Sequence, residues 1–460
     1  MGNTTRSPTE QTSAGSYVYF NVVVAGVLVM SDEKPLGSEA LQQRQMALSR
    51  WENEGGSGPP EKTTSAGKLV FNASILTPNA GRRGPVTERD ALRAACGSSA
   101  AAAGAGSQFP PEARVTTGVT ARLKTDSACL RKDTPLYPLR FEPIYQYRLW
   151  GGRRLKDLLS APLPGRGPVG EAWLLSDRDD HPSLVADGPF KGQTIARVLE
   201  RSPEQLLGQL HGRLSRFPLL LKFLDVRKSL SVQVHPSDAY EDLIPLGNSG
   251  KSEAWVVLEA GPEARIYAGL KPGTTAEALR QAVMNGTVDR QLASFAPQPG
   301  DSVLVRAGIV HSLRDVVVFE VQQNSDVTFR LYDWGNIDPE TGQVRSLQVD
   351  KAMECIDWGQ AAINPVAPLV QETRPVLRES LVQCEHFDMT RISGQLPFVV
   401  GATGMPSVLV CLAGEGHVQY AGTRYTFDKG DVLLLPAVAG PRSCEPRGVV
   451  SLLELSLPHA

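Results

Sequence analysis

The sequence predicts a mainly β protein, a sandwich or jelly-roll barrel with a few short helices, and three observations support this. From residue 136 onward, short apolar runs alternate with turn residues. Turn dipeptides such as Pro-Gly at 299–300 and Gly-Asn at 247–248 separate these runs. A Gly-Asp turn followed by an apolar strand occurs twice in the chain. Many short strands with few helices are typical of such two-sheet or closed-sheet folds.

The individual elements follow the hydrophobic pattern in chain order. We expect strands at 171–175, 219–224, 231–235, 254–258, 264–268, 302–307 and 316–322. Helical apolar spacing predicts a helix at 194–209, broken near Pro203, and a short one at 350–358. Thr274 and Glu277 form a capping-box pattern, which predicts that a further short helix begins there.

The two Gly-Asp turns belong to a weak internal repeat. Residues 299–308 read PGDSVLVRAG, and residues 429–438 read KGDVLLLPAV. The first copy continues to His311, whereas the second has no His at the matching place. The repeat predicts two related β-barrels, of which the first carries a metal and the second has lost it.

The chain changes character near residue 134. Before that point Gly-, Pro- and Ala-rich segments are frequent, and between 30 and 133 the only aromatic residues are Trp51, Phe71 and Phe109. Such a segment buries too little apolar surface to offset its conformational entropy. We therefore predict that 1–133 is a low-complexity, mostly disordered extension with a short helix near 38–52, or else a mis-extended start. The apolar run at 17–30 is too short for a comfortable membrane span.

Composition argues against several classes of partner. The chain of 460 residues has a formal net charge of −2, so it offers no basic field to nucleic acid or to an anionic membrane surface. Its six Cys are far apart and form no C-x-x-C pair, which argues against a thiolate zinc knuckle and a disulfide framework. We expect a cytoplasmic protein with no nucleic-acid or membrane partner, and a monomer or weak homodimer.

Four polar residues of the β region form a candidate metal site. Gln233 and His235 lie two positions apart on a predicted strand, so their side chains point to the same face. Glu253 and His311 follow in two other strongly patterned segments. Each residue alone is more often structural, but together they offer two nitrogens and two oxygens, which suit a divalent ion such as Zn²⁺.

These segments resemble the two motifs of the cupin superfamily. The second motif is matched by the spacing Gly300-x₅-Arg306-x-Gly308-x₂-His311, with Arg where Pro is usual. The first is matched with Gln233 in place of the leading His, a replacement that is similar to type I mannose-6-phosphate isomerases. Further landmarks of that family resemble 149–152, 170–173, 222–225 and 324–333 of this chain. The resemblance covers about 136 to 460 and leaves the first 133 residues out.

The resemblance implies two cupin-type jelly-roll barrels and an enzymatic function. The domain at 134–365 is expected to be the catalytic cupin with a helical insertion, and 366–460 a degenerate cupin without metal. Gln233, His235, Glu253 and His311 would hold one Zn²⁺, or another divalent ion, per chain. The implied reaction interconverts mannose 6-phosphate and fructose 6-phosphate through a cis-enediol, so the expected partner is a small sugar phosphate.

The resemblance also points to the catalytic groups. Arg330 is expected to be a cation near the reacting end or the phosphate, because its guanidinium forks onto pairs of oxygens. Lys251 is expected to stabilise the enediolate or to bind phosphate. Glu320 and Asp326 are the candidates for proton transfer, and a metal-bound hydroxide stays open as the alternative base. Two other functions also stay open, namely a cupin isomerase for another sugar and a non-catalytic sugar-binding cupin.

Overall fold

The computed structural model describes residues 22–24, 27–29, 134–338 and 342–458. The predicted disordered extension and the helix near 38–52 therefore fall almost wholly outside the described residues. Two short segments of the early apolar run are described, β1 (Val22–Val24) and β2 (Val27–Val29), and they pair antiparallel. The sequence pattern did not predict this pairing.

The described region from residue 134 onward is dominated by strands, which confirms the mainly β prediction. The strands of its first half are β3 (Ile144–Gln146), β4 (Glu171–Leu175), β5 (Leu219–Val226), β6 (Val232–Val234), β7 (Glu253–Leu270), β8 (Leu292–Phe295), β9 (Ser302–Val305), β10 (His311–Gln323) and β11 (Phe329–Tyr332). Those of its second half are β12 (Leu369–Glu372), β13 (Leu377–Gln383), β14 (Asp388–Gly394), β15 (Phe398–Val400), β16 (Ser407–Ala413), β17 (Glu415–Tyr420), β18 (Thr423–Asp428), β19 (Val432–Leu435), β20 (Arg442–Pro446) and β21 (Val450–Ser456).

Hydrogen bonding sorts the described strands after β2 into three antiparallel sheets. The first sheet runs β11-β6-β10-β5-β4-β3, with β7 also on β10 and with β8 and β9 on β7. The second runs β12-β13-β14-β21-β16-β19, and the third runs β15-β20-β17-β18. No described strand of the first half pairs within a sheet of the second half, although one apolar core includes Phe223 and Phe319 together with Phe387 and Leu453. The further prediction of two cupin barrels with a boundary near 365 stays a prediction.

The short helices lie close to their predicted positions. The predicted helix at 194–209 is divided into α1 (Ile195–Arg201) and α2 (Pro203–Leu207), because Pro203 begins a new helix. The others are α3 (Ala276–Met284) and α4 (Val349–Cys355). The N-cap of α3 is Thr275, whose hydroxyl accepts from the Ala278 N–H at 3.1 Å, so the helix begins one residue later than the capping-box pattern implied. Among the described residues, no helix is long and apolar enough to cross a membrane.

One strand prediction was wrong in an informative way. The runs at 254–258 and 264–268 were expected to be separate strands, and a Gly-Pro pair at 261–262 lies between them. The structure joins them into the single 18-residue strand β7. The Gly-Pro pair lies opposite Asp315, a residue of β10 with a φ of 48° at which the register between β7 and β10 shifts. The pattern of a turn therefore marks a β-bulge inside a continuous strand.

Gly261 leaves the space that this bulge needs. A Cβ at Gly261 would lie 2.0 Å from Oδ2 of Asp315. The same carboxylate accepts a hydrogen bond from the Glu263 N–H at 3.2 Å and forms an ion pair with Arg227 at 2.7 Å. The Asp315 side chain thus lies across β7, and a larger residue at 261 would displace it.

The internal repeat is visible in backbone hydrogen bonds. Gly300 and Gly430 both have a φ near 90° (94° and 90°) at the same position of the turn. Gly300 N–H donates to the Val257 carbonyl and Gly430 N–H to the Cys411 carbonyl, both at 2.8 Å. In β7 the residue paired with Val305 is Glu253, and in β16 the residue paired with Leu435 is Ser407. Ser407 therefore stands where the first copy has its carboxylate.

We expect Gly261→Ala to lower the free energy of unfolding by about 1–3 kcal/mol, because the added methyl group forces the Asp315 carboxylate out of the bulge. Urea denaturation followed by circular dichroism measures this change. Gly167→Ala is the control, since nothing lies within 4 Å of a Cβ at that position. Equal midpoints for the two variants would contradict this account of the bulge.

Candidate metal centre and active-site cavity

Three strands of the first sheet bring the predicted metal ligands together. Gln233 is the middle residue of β6, and His235 follows directly after that strand. Glu253 begins β7, and His311 begins β10. His311 pairs with Gln233 in the sheet register, which places the amide and the imidazole side by side.

The four side chains meet at short distances. Nε2 of His235 is 3.4 Å from Oε2 of Glu253, and Nε2 of His311 is 3.3 Å from its Oε1. The amide nitrogen of Gln233 lies 3.2 Å from Nε2 of His311 and 3.5 Å from Nε2 of His235. Turning this amide over would present its oxygen to the same point. The ligand atoms of the two His and the Glu all lie within 4.8 Å of one another.

Backbone carbonyls fix which imidazole nitrogen faces this centre. Nδ1 of His235 is 2.8 Å from the Val327 carbonyl, and Nδ1 of His311 is 2.9 Å from the Ile309 carbonyl. Each Nδ1–H donates there, so each Nε2 keeps its lone pair toward Glu253. Burial and the charge of Lys251 lower the pKa of His235 to about 3, and burial lowers the pKa of His311 as well. Both rings are therefore neutral near pH 7, as metal ligands must be.

Glu253 is the charged member of the set. Its exposed fraction is 1%, and neither of its buried oxygens accepts a well-directed hydrogen bond. Burial opposes its ionisation, but the charge of Lys251, 3.2 Å away, outweighs burial, so the pKa of Glu253 lies well below the ordinary value. A buried carboxylate without hydrogen bonds is costly unless a cation stands against it. Lys251 is one such cation, and the ligand atoms of the two imidazoles and the carboxylate converge on one point, so the residues present also fit a divalent ion.

The centre opens onto a cavity of about 280 Å³. All four predicted catalytic residues line it, together with two of the four predicted ligands: Lys251, Glu320, Asp326, Arg330, Gln233 and Glu253. His235 and His311 are not among the lining residues and are almost fully buried. The structure thus brings all eight sequence-predicted residues to one place, while their roles remain predictions.

Lys251 links the metal centre to the cavity. Its Nζ lies 3.2 Å from both Nε2 of His235 and Oε2 of Glu253. Burial opposes its charge, but Glu253, Glu320 and Asp326 outweigh burial, so the pKa of Lys251 is above its ordinary value. A fixed positive charge therefore stands beside the centre.

The two candidate carboxylates for proton transfer differ in environment. Glu320 is buried, accepts a hydrogen bond from Nε1 of Trp255 at 2.9 Å, and lies 3.4 Å from Nζ of Lys222. Burial and the charge of Glu253 raise the pKa of Glu320. The Asp326 side chain is 38% exposed and 3.8 Å from the same Lys222 nitrogen. Glu320 therefore has the buried environment expected of a general base, whereas Asp326 is partly open to solvent.

Arg330 differs from the two other arginines of the cavity. Arg148 pairs with Glu171 at 3.0 Å, and Arg345 pairs with Asp333. Arg330 donates to the Ser346 carbonyl at 2.9 Å, but its buried Nε lacks a partner, and no carboxylate in the described ranges forms an ion pair with it. Burial, and then the charge of Arg345, lower the pKa of Arg330 to about 10. Arg330 is therefore a charged group available to an anionic ligand.

Sequence reasoning assigned no role to four other charged residues that line the cavity: Arg148, Glu171, Lys222 and Arg345. Glu171 and Lys222 lie within the landmark segments 170–173 and 222–225, so a signal for them existed. Arg148 immediately precedes the landmark at 149–152. Arg345 had no signal, because its distance in sequence from the other site residues hides its place in the cavity.

Comparison with known proteins agrees with this geometry. Residues 139–248 match the family model of the type I phosphomannose isomerase catalytic domain. The probable mannose-6-phosphate isomerase GmuF of Bacillus subtilis is 34% identical over 313 residues, which are 67% of this chain and 96% of that protein. The mannose-6-phosphate isomerase ManA of the same organism is 34% identical over 308 residues, 65% of this chain and 93% of that protein.

A solved structure shows the same likeness in three dimensions. The crystal structure of a mannose 6-phosphate isomerase from Bacillus subtilis matches with a TM-score of 0.64 and 27% identity. The match covers 70% of this chain and 100% of that one. The family suggested by the cupin motifs is thus confirmed, and the chain belongs to the type I phosphomannose isomerases, a family of metal-dependent aldose–ketose isomerases.

Proposed function

We propose that this chain interconverts mannose 6-phosphate and fructose 6-phosphate by moving a proton between C1 and C2 through a cis-enediol. The observation that carries the proposal is the buried, charged Glu253 between two neutral imidazoles, at the end of a cavity lined by Lys251 and Arg330. Such a cavity can bind a charged sugar and stabilise the negative charge that develops on its oxygens.

The metal ligands are proposed to be Gln233, His235, Glu253 and His311, with Zn²⁺ as the ion. Two nitrogens and two oxygens suit this borderline ion. When bound, a divalent ion supplies Lewis acidity that stabilises negative charge on the sugar oxygens. Because Gln233 is neutral, the chain contributes only one negative charge to the site, so the ion keeps more of its charge for the substrate.

The remaining groups have distinct proposed roles. Glu320 takes the proton from one carbon and returns it to the other, since its raised pKa makes it an effective base and acid. Trp255 and Lys222 hold that carboxylate in place. Lys251 and Arg330 stabilise the enediolate. Arg330 is the cross-strand neighbour of the proposed metal ligand Gln233. This position favours a contact between Arg330 and the reacting end of the sugar rather than the phosphate.

The proposal extends to the cell compartment and the assembly state. The four described cysteines, Cys355, Cys384, Cys411 and Cys444, are all free thiols, which supports a reducing cytoplasm. A monomer or weak homodimer remains our prediction. An isomerase for an unphosphorylated sugar is the second candidate, and equal activity on free mannose and on mannose 6-phosphate would favour it.

We expect removal of bound metal by a chelator to abolish isomerase activity and Zn²⁺ to restore it. His235→Ala should lose the metal and lower kcat/KM by roughly 10²-fold or more, because it removes Lewis-acid stabilisation worth several kcal/mol. A coupled isomerase assay with elemental analysis of the protein measures both effects. His211→Ala, with a half-exposed ring elsewhere in the chain, is the matched control. Activity that survives both treatments would end the metal assignment.

Glu320→Gln is expected to lower kcat by about 10²- to 10⁴-fold, because the amide cannot accept the proton from carbon. Asp326→Asn should lower it much less, since this carboxylate is half-exposed. In the parent protein kcat should fall as the pH falls through the raised pKa of Glu320, because only its carboxylate form is a base. Asp326→Asn should leave this acidic limb in place. A larger loss in Asp326→Asn than in Glu320→Gln would reverse the assignment.

Arg330→Ala should lower kcat by about 10²-fold with a smaller change in KM, because a fixed cation near the reacting end acts on charge formed in the transition state. Steady-state kinetics with mannose 6-phosphate separates the two constants. Arg314→Ala, which removes an exposed arginine paired with Glu263, is the control. A raised KM with unchanged kcat would instead place Arg330 at the phosphate.

A further inference from the structure

The segment that carries Lys251 is bridged by two side chains that have no part in the proposed chemistry. The Gly250 N–H donates to Oδ1 of Asp238 at 2.6 Å, and the Ser252 N–H donates to Oε1 of Gln323 at 2.8 Å. Nε2 of Gln323 donates to Oδ2 of Asp238 at 3.0 Å. The residues before and after Lys251 are thus joined through one continuous chain of hydrogen bonds, which we call the Asp238–Gln323 clamp.

Backbone contacts complete the clamp. The Lys251 N–H donates to the Pro236 carbonyl at 3.1 Å, and the Gln323 N–H donates to the Ser252 carbonyl at 3.2 Å. A Cβ at Gly250 would lie 2.5 Å from the Asp238 nitrogen. Glycine at 250 therefore lets the segment after His235 approach the Lys251 segment closely enough for these bonds to form.

Asp238 has no other evident purpose in the described part of the chain. Its residue is exposed, and no lysine or arginine there forms an ion pair with it. Both of its oxygens accept hydrogen bonds from neutral donors of the clamp. A carboxylate accepts such bonds more strongly than an amide or hydroxyl does, which makes it suited to fixing a backbone position.

The position of Lys251 demands this accuracy. Its ammonium is buried and contacts two groups, Nε2 of His235 and Oε2 of Glu253, each at 3.2 Å. A lysine side chain is flexible, so its charge is placed only as well as its backbone is placed. A displacement of about 1 Å at a reacting centre costs roughly 10²-fold in rate.

We propose that Asp238 and Gln323 are positioning residues that set the rate of isomerisation by holding the backbone on both sides of Lys251. This inference rests on the proposed role of Lys251 in the reaction. It gives a function to Asp238, three residues after His235, and to Gln323, the last residue of β10, neither of which the metal or the proton transfer requires.

The donor and the acceptor of the contact between residues 238 and 323 can be exchanged without changing the net charge of the pair. Asp238→Asn alone removes the acceptor for the Gln323 amide, and Gln323→Glu alone sets two carboxylates against each other at the 3.0 Å contact. In the double variant the asparagine amide donates to the new glutamate, while Gly250 and Ser252 keep their acceptors. We expect each single variant to lower kcat by about tenfold or more and the double variant to recover most of that loss.

The Lys251→Ala background shows whether the clamp acts through Lys251. Lys251→Ala should itself lower kcat, and Asp238→Asn should then lower kcat no further. Stability from urea denaturation and bound metal from elemental analysis are measured on every variant. If Asp238→Asn keeps the metal content of the parent protein but has a lower kcat, Asp238 acts as a positioning residue. A contact with a merely structural role would not lower kcat in this way.

Three results would overturn the inference. A parent-like kcat in Asp238→Asn would show that the clamp does not set the rate. In a second result, Asp238→Asn lowers kcat equally in the parent and in the Lys251→Ala background, or it lowers both the metal content and kcat. Either outcome would show that the clamp acts on something other than Lys251. A parent-like kcat in Lys251→Ala would instead overturn the proposed role of Lys251 itself, so the two failures are distinguishable.

Discussion

The Glu253 carboxylate is buried to 1% exposure, and its ionised form requires positive charge close by. Lys251 supplies part of this charge from 3.2 Å, and the lone pairs of two imidazoles face the same carboxylate. Two neutral rings cannot compensate the charge, but together with the carboxylate they can bind a cation. This constraint explains why backbone carbonyls orient both His235 and His311 so that each Nε2 faces Glu253.

Strand β10 contributes three residues to the site and its surroundings, and the bulge at Asp315 makes this arrangement feasible. His311 and Glu320 are separated by an odd number of positions, so a regular strand would direct them to opposite faces. The left-handed conformation of Asp315, with a φ of 48°, breaks the alternation between them. His311 can therefore face Glu253 while Glu320 lines the cavity, and Gln323 at the strand end reaches the Lys251 segment.

Side-chain alternation could be predicted from the sequence within a strand, but not across this bulge. Alternation within one strand placed Gln233 and His235 on one face, and the structure brings them together as predicted. The two halves of β7 were predicted as separate strands, because the apolar pattern is interrupted between them and nothing in the sequence shows that the interruption is a bulge opposite Asp315. The partners of Arg345 and Asp238 were likewise beyond reach, since pairs distant in sequence are set by tertiary packing and leave no periodic pattern.

The second copy of the repeat is an internal control for the first. It keeps the glycine turn and the strand pairing, yet Ser407 occupies the register position of Glu253. Ser407 is also buried, so this part of the fold packs without a carboxylate. Burying an ion costs several kcal/mol, and a fold that needs no ion at this position gains nothing in stability from one. The charge of Glu253 is therefore best explained by the chemistry of the first copy, which the sequence already marked by continuing to His311.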